Sequence, residues 1–249
     1  MDHAALSKYS RKVWSLLAPK EVVGGTLARI GDDFDGGYVM LDNNLESAVA
    51  YSLGIGDEIS WDLALANRNA EVFQFDHTIP KFPLNHPRFH SFHIRISDAP
   101  GEGENVRTID ELLDEHNHRG RSDMILKIDI EGAEWFVFQM LSSTTLAHFS
   151  QILVEFHGMQ DMSKISIFNR RLGVLAKLNL THQVVHVHAN NWHDPILIGG
   201  IMMPNLIEVT YIRRTDHQFD RCEKIFPTEL DQPGSPFKPD IFLGALGLL

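Results

Sequence analysis

Two glycines, Gly54 and Gly56, follow an apolar segment and precede a predicted helix that begins near Ser60. Glycine has no Cβ, so a ligand can approach the backbone closely, and the free N–H groups at a helix start carry a partial positive charge. Asp76 ends the next apolar segment, about 20 residues later, where a carboxylate can accept hydrogen bonds from both hydroxyls of a ribose. The spacing predicts a site for a cofactor that contains a nucleoside.

The glycine pattern is not that of a dinucleotide site, because Ile59 stands where Gly-x-Gly-x-x-Gly needs its third glycine. A methyl donor has no pyrophosphate and tolerates such a loop. Ser97 and Asp98 follow a third apolar segment and are interpreted as adenine contacts. Three alternatives remain open: a ligand-free turn at the glycines, a capping or loop role for Asp76, and ordinary turn chemistry at Ser97 and Asp98.

A second group of polar residues, Asp129 and His157, ends two further apolar segments. There they could orient an acceptor hydroxyl and take its proton. A helix cap and a hydrogen-bonded core histidine are the respective alternatives. Asp129 with Glu131 and Glu155 with His157 are i, i+2 pairs, which share a face on a strand and could hold Mg²⁺. Pairing of the two glutamates with Lys127 or backbone donors is the alternative, and we assign no metal ligand.

Zinc is disfavoured despite 14 histidines, because the sequence has no Cys-x-x-Cys or His-Glu-x-x-His spacing. His182, His186 and His188 share one face of a predicted strand. We interpret that face as a half-exposed sheet surface.

Strand and helix patterns alternate from residue 48 to residue 213, which predicts parallel βαβ units and a doubly wound α/β sheet. Predicted strands are 48–56, 71–76, 89–97, 124–130, 151–157, 181–188 and 206–213. Predicted helices are 60–69, 108–117, 164–179 and a segment through Trp135 and Leu141. Thr108 and Glu111 have the spacing of a capping box. Residues 4–18 predict a further helix, and 29–41 predict a hairpin or tight loop.

Length and composition favour a single compact domain, since 43% of the 249 residues are hydrophobic. We divide it into an N-terminal lead-in (1–47), a core (48–215) and a proline-rich C-terminal extension (216–249). The extension is expected to pack on the core or on the partner of a homodimer. A net charge of −11 without a basic stripe argues against nucleic acid. A lone Cys222 and no apolar run long enough to span a bilayer favour the cytoplasm.

The chain resembles the FkbM-type and related methyltransferase-like family of class I methyltransferases between about Arg29 and Arg213. The segments that show the resemblance are Asp35-Gly-Gly-Tyr38, Tyr51-Ser-Leu-Gly-Ile-Gly56, Phe75-Asp-His-Thr78, Leu126-Lys-Ile-Asp-Ile-Glu-Gly-Ala-Glu134 and Ile152-Leu-Val-Glu-Phe-His157. The resemblance implies a Rossmann-like sheet of seven strands with one antiparallel strand, S-adenosylmethionine as donor, and O-methylation of a sugar or natural product.

Carried over by position, Gly54, Gly56 and Asp57 would line the methionine side, and Asp76 the ribose. Asp129 would lie at the reaction centre. Ser60, His77, Ser97 and Asp98 complete the predicted cofactor set, and Asp129 with His157 the catalytic set. His188 and Asn190-Asn191 resemble the family's His-x-Asn region.

Two other classes of protein were weighed. A non-catalytic S-adenosylmethionine- or nucleotide-binding regulatory module would keep the glycines and Asp76 but needs neither Asp129 nor His157. A serine hydrolase needs Gly-x-Ser-x-Gly, which the sequence lacks.

Overall fold

The structure is a computed structural model that describes residues 2–101 and 103–248. Within these residues the α-helices are α1 (His3–Leu17), α2 (Ser60–Asn67), α3 (Ile109–Glu115), α4 (Glu134–Met140), α5 (Ser143–Leu146) and α6 (Ile165–Thr181). The strands are β1 (Lys20–Val22), β2 (Leu27–Ile30), β3 (Tyr38–Leu41), β4 (Val49–Leu53), β5 (Glu71–Phe75), β6 (Phe89–Phe92), β7 (Arg95–Ile96), β8 (Val106–Arg107), β9 (Met124–Ile128), β10 (Phe149–Phe156), β11 (His182–His188), β12 (Ile196–Ile198), β13 (Ile201–Met203), β14 (Ile207–Arg213) and β15 (Phe219–Arg221).

A central sheet of seven strands organises the described residues, in the order β11-β14-β10-β9-β4-β5-β6. Strand β14 runs antiparallel to both neighbours, whereas the pairs from β10 to β6 are all parallel. The chain moves from β4 through β5 to β6, then returns to β9 on the other side of β4. The switch point therefore lies between β4 and β9, where an open α/β sheet binds its ligands. The predicted doubly wound fold, with one antiparallel strand, is confirmed.

Burial on both faces explains why the central strands read as nearly continuous apolar segments. Every residue of β4 and β9 is buried. Leu126 and Ile128 face one apolar layer, which includes residues of α1, α3, α4 and α6, and Ile125 faces a second layer, which includes residues of α2 and β3. Truncation of such a core side chain to alanine costs about 2–5 kcal/mol. The strand ends that carry polar residues are therefore rigidly supported.

Local sequence signals account for several element boundaries. The Thr108 side chain accepts from Glu111 N, and the Glu111 side chain accepts from Thr108 N, so the capping box that starts α3 is confirmed. The helix at the N-terminus and the hairpin of β2 with β3 are also present. The predicted strand 89–97 is wrong in part, because β6 ends at Phe92 and β7 pairs with β8 outside the central sheet.

Segments outside the central fold close over two sides of it. Ser60 joins the β2–β3 hairpin to α2, since its hydroxyl donates to Gly36 O at 2.7 Å and accepts from Asp32 N at 2.9 Å. On the other side, the C-terminal extension packs on the core, where Phe226 and Leu246 are buried in the main apolar layer. No helix in residues 2–101 and 103–248 combines the length and the apolar character that crossing a membrane requires.

Candidate active site

A cavity of about 510 Å³ opens at the carboxyl ends of β4, β5 and β9. This volume lies within the range of about 300–1,000 Å³ that is typical of small-molecule sites. Residues that line it are Asp35, Gly36, Tyr38, Gly54, Ile55, Gly56, Asp57, Glu58, Trp61, Phe75, Asp76, His77, Thr78, Ile94, Arg95, Ile96, Lys127, Asp129, Ile130, Glu131 and Ala133. The predicted glycine loop, Asp76, His77 and Asp129 thus surround one space.

The glycine at position 54 is required by its neighbour across the switch point. Its φ of +81° is one that L side chains rarely adopt, and a Cβ there would overlap the carbonyl oxygen of Asp129. The chains are also tied directly, because Asp129 N donates to Leu53 O at 2.9 Å and Gly54 N donates to Phe75 O at 3.0 Å. The three strand ends are therefore held in fixed positions around the cavity.

The carboxylate of Asp76 holds the glycine loop. Its Oδ2 accepts from Ile55 N at 2.8 Å and Gly56 N at 3.0 Å, and its Oδ1 accepts from Thr78 N at 2.7 Å and Thr78 Oγ1 at 2.6 Å. Burial raises the pKa of Asp76, but these hydrogen bonds outweigh burial and lower it to about 2. A carboxylate has about four acceptor positions, so a ribose hydroxyl must share or displace one of these donors.

The remaining predicted cofactor residues are placed differently. Asp57 and His77 line the cavity, whereas Ser60, Ser97 and Asp98 are not among its lining residues. Ser97 instead joins the β7–β8 region, since its N–H donates to Arg107 O at 2.9 Å. The apolar wall on this side consists of Phe75, Ile94 and Ile96. Contacts from Ser60, Ser97 and Asp98 to a cofactor stay predictions.

Asp129 and His157, the predicted catalytic pair, lie close together at the ends of β9 and β10. His157 Nε2 is 3.7 Å from Asp129 Oδ1, and the Tyr38 hydroxyl donates to Asp129 Oδ2 at 3.4 Å. Burial raises the pKa of Asp129 above its usual value, against the opposing charges of Lys127 and His157. Burial lowers the pKa of His157, but Glu134, Asp129 and Glu131 more than compensate and raise it. The pair therefore places a carboxylate that lines the cavity next to an imidazole that does not.

Segment 35–38 lies at this end of the cavity. Asp35, Gly36 and Tyr38 are lining residues. Asn190 connects the segment to β10, because its side-chain nitrogen donates to Glu155 Oε1 at 2.9 Å and to Asp35 Oδ1 at 3.2 Å. Burial, followed by the charge of Asp129, raises the pKa of Glu155 well above its usual value.

Lys127 supplies positive charge next to the carboxylates of Asp129 and Glu155. Its ammonium donates to Gly54 O at 3.2 Å and lies 5.2 Å from the centre of the Tyr38 ring. Burial and a cation–π contact hold it in place. The cavity therefore contains a buried ammonium group next to carboxylates that would otherwise repel one another.

Glu134 is a site residue that the sequence analysis did not identify. Its side chain is fully buried, accepts from Gly132 N and His157 N at 2.8 Å each, and places Oε1 3.4 Å from His157 Nδ1. Only its place in the Leu126–Glu134 segment could have indicated it. The expectation that Glu131 shares a strand face with Asp129 is wrong, because β9 ends at Ile128 and the Glu131 side chain is 89% exposed.

The histidines of β11 are buried, so the expected half-exposed surface is wrong. His186 Nε2 is 2.7 Å from Asp231, and His188 Nε2 is 3.0 Å from Asp240, both in the C-terminal extension. Burial lowers the pKa of His188, but Glu208 and Asp240 together raise it to about 10. The β11 histidines thus hold the C-terminal extension against the edge strand of the central sheet.

Comparison with known proteins gives a family match. The model of the methyltransferase FkbM domain matches residues 38–183, which include the glycine loop, Asp76, Asp129 and His157. A search of curated proteins found no match.

Similar solved structures include two with 10% sequence identity. One is from Streptococcus mutans, described as "a putative sam-dependent methyltransferase"; the match covers 69% of this chain and 46% of that one, with a TM-score of 0.41. The chain thus spans less than half the length of that protein. The other is a fibrillarin/Nop5p complex, with 68% of this chain and 74% of that chain covered and a TM-score of 0.42.

Proposed function

The chain belongs to the methyltransferase FkbM domain family, and we propose that it transfers a methyl group from S-adenosylmethionine to a hydroxyl of a sugar or small natural product. The observation that carries this proposal is the single cavity that joins the Gly54–Gly56 loop and Asp76 to Asp129. A donor site and a hydroxyl-activating group must meet in one space for direct methyl transfer.

The donor end of the cavity has features that suit S-adenosylmethionine. The left-handed turns at Gly54 and Gly56 bring backbone close to the space where a methionine moiety would lie. Phe75, Ile94 and Ile96 offer an apolar wall for an adenine, and Asp76 lies at the strand end suited to a ribose. The sulfonium is cationic, and the carboxylates around the cavity favour it electrostatically.

At the acceptor end, Asp129 and His157 would position a hydroxyl for in-line attack on the methyl group. The O–H bond breaks as the new O–C bond forms, the C–S bond breaks, and the sulfonium becomes a neutral thioether. Asp129 accepts the proton, and His157 holds the carboxylate in place from 3.7 Å.

Charge favours a small neutral or cationic acceptor over nucleic acid. Six carboxylate side chains line the cavity, whereas only two basic side chains, Lys127 and Arg95, are among its lining residues. The chain as a whole carries −11. Phosphate groups would be repelled from such a surface. The same composition gives no basic stripe for binding an RNA backbone.

Calorimetry with S-adenosylmethionine and S-adenosylhomocysteine tests the donor. We expect both to bind at one site per chain, with NAD as the control that does not bind. Heat with NAD and none with either S-adenosyl compound would overturn the proposal. Segment 35–38 should be protected from hydrogen exchange when the donor is bound, because it lines the same cavity.

The acceptor is tested by methyl transfer from radiolabelled donor to a panel of sugars, glycosides and polyphenols, with ribosomal RNA as the matched control. Label in a small hydroxylated compound is the expected result. Donor binding without transfer to any panel member would favour the non-catalytic regulatory module instead. Label in RNA would contradict the argument from charge.

We propose a cytoplasmic location, since the buried Cys222 is a free thiol. A homodimer would be detected by sedimentation equilibrium. The contacts of the C-terminal extension with its own core neither require nor prevent one.

A further inference from the structure

We propose that Asp129, Glu155 and His157 bind one divalent first-row transition cation, with Mn²⁺ as the representative probe. One ligand atom from each residue lies within 4.8 Å of the other two. Protein ligands bind divalent cations at about 2.0–2.6 Å, so ligand atoms on opposite sides of one ion are about 4–5 Å apart. The three atoms therefore fit around a single ion with shifts of a few tenths of an ångström.

Glu155 provides an independent reason to expect a ligand. Its side chain is 8% exposed, and its Oε1 accepts from Asn190, but no hydrogen bond from any described residue reaches Oε2. That oxygen points towards His157 Nε2, 3.8 Å away. No described donor occupies this oxygen, so it can bind a cation held between it and His157.

His157 has the arrangement of a metal ligand with a supporting carboxylate. Its Nε2 faces Glu131, Asp129 and Glu155 at 3.4, 3.7 and 3.8 Å, distances too long for good hydrogen bonds. Its Nδ1 lies 3.4 Å from Oε1 of the fully buried Glu134 and makes no hydrogen bond with any described residue. Histidine ligands commonly direct the second ring nitrogen to a carboxylate, which fixes the tautomer and the ring orientation.

Each remaining ligand is also supported from behind. Asn190 positions Glu155, the Tyr38 hydroxyl positions Asp129, and backbone N–H groups of Gly132 and His157 fix Glu134. Asp129 lines the cavity, whereas Glu155 and His157 do not, so an ion held by all three would lie at the border of the space proposed for the acceptor.

The donor set also indicates which ions are suitable. Mg²⁺ prefers oxygen ligands and near-ideal octahedral geometry, whereas imidazole favours transition metals and carboxylates are shared by both groups. One imidazole with two carboxylates therefore favours ions of the Mn²⁺, Fe²⁺ or Zn²⁺ type over Mg²⁺. The strand pairs predicted from sequence spacing suit Mg²⁺ and include Glu131. The three residues that come together in the structure favour a different ion, and Glu131 is not one of them.

The role of this ion rests on the proposed function, although its binding does not. A bound cation would hold the acceptor hydroxyl and lower its pKa. The hydroxyl proton would then pass to Glu131, the exposed carboxylate at the cavity, while the oxygen bonds to the methyl carbon and the C–S bond breaks. With a cation present, Asp129 and His157 act as its ligands, and Glu131 replaces Asp129 as proton acceptor.

Electron paramagnetic resonance with Mn²⁺ alone tests the site on the full chain without a donor or acceptor. We expect one ion per chain, with ¹⁴N modulation in the pulsed spectrum from His157. Glu155→Gln and His157→Gln should each weaken Mn²⁺ binding at least 30-fold, and His157→Gln should remove the ¹⁴N signal. Glu208→Gln is the matched control, since it removes one negative charge nearby but no ligand, and should change affinity less than threefold.

Three results would overturn the metal site: no Mn²⁺ binding at millimolar concentration, a spectrum without nitrogen coupling in the unaltered chain, or equal losses in Glu155→Gln and Glu208→Gln. The nitrogen signal needs no variant, so a misfolded variant leaves the test decisive. Binding of S-adenosylhomocysteine is measured in parallel. If S-adenosylhomocysteine binds but Mn²⁺ does not, only the cation site is refuted. If Mn²⁺ binds but S-adenosylhomocysteine does not, the methyl-transfer proposal is refuted.

Discussion

Replacing Asp76 by asparagine separates its structural role from its role towards a cofactor. The substitution keeps the shape but leaves one oxygen for four donors. With that oxygen turned to Ile55 and Gly56, the amide nitrogen faces Thr78. The Thr78 hydroxyl can rotate and accept, but its backbone N–H is left facing another donor.

The magnitude follows from two independent estimates. A lost hydrogen bond to a charged group costs about 1.5–3 kcal/mol. The pKa of Asp76 falls from 3.8 to about 2 in the folded chain, which corresponds to about 2 kcal/mol by linkage and to about 1–2 kcal/mol after allowance for solvent screening. We therefore expect Asp76→Asn to lower the free energy of unfolding by about 1–2 kcal/mol and the Tm by about 3–6 °C.

The pH dependence gives the prediction its sign. A carboxylate whose pKa is lowered on folding stabilises the fold above its unfolded pKa, and this contribution disappears as pH falls through its folded pKa. The stability difference between the unaltered chain and Asp76→Asn should thus be full above about pH 4 and shrink towards pH 2.

Urea denaturation from pH 7 to pH 2 measures the stability, and calorimetry with S-adenosylhomocysteine measures the binding. Asp57→Asn is the matched control: Asp57 is exposed at the same loop and accepts no hydrogen bond from a described residue, so its effect on unfolding should stay within about 0.5 kcal/mol. We expect Asp76→Asn to lower the affinity for S-adenosylhomocysteine at least about tenfold, because one hydrogen bond to a charged group is lost. A variant with unchanged stability, pH profile and affinity would refute both roles.

Asp129→Asn should lower kcat about 10²- to 10⁴-fold and leave donor affinity nearly unchanged. Initial rates measure kcat, and calorimetry measures the affinity. A variant with full turnover would show that Asp129 does not lie at the reaction centre. Gly54→Ala should prevent or severely destabilise folding, because its Cβ overlaps Asp129 O. Gly56 has a φ of +56° but open space around it, so Gly56→Ala should lower the free energy of unfolding by only about 1–2 kcal/mol. Equal thermal melts of the two variants would contradict this contrast. His188 has a raised pKa, so its stabilising contribution should be complete below about pH 6.5 and disappear towards about pH 10; a His188→Gln variant with the same alkaline melting profile as the unaltered chain would show that other groups are responsible.

Much of the fold could be predicted because local and global signals agree. The central strands β4 and β9 are buried on both faces, so their sequences are nearly continuous apolar segments and are easily distinguished from the helices between them. The hairpin of β12 with β13 and the pairing of β1 with β15 were not predicted. These strands have three residues each, too few to show a periodicity.

Within the site, the sequence indicated residues that end parallel strands, because such ends must meet at one edge of the sheet. It did not indicate that the strand that precedes His157, β10, lies one place beyond the two strands that flank the switch point. Nor could it show that Glu134, from the start of α4, turns back beneath His157. Contacts of this kind depend on the direction of side chains from different elements.

The sequence by itself determined the alternation of elements, the glycine loop and the acidic residue at the end of β5, because backbone conformation and burial pattern are local properties. Only the tertiary structure decided what each polar side chain faces. It directed Asp76 to the loop backbone, placed His186 and His188 against carboxylates from 45 and 52 residues further along the chain, and brought Asp129, Glu155 and His157 together. Charge and coordination depend on distances of a few ångströms between residues far apart in sequence, and packing of the completed sheet sets those distances.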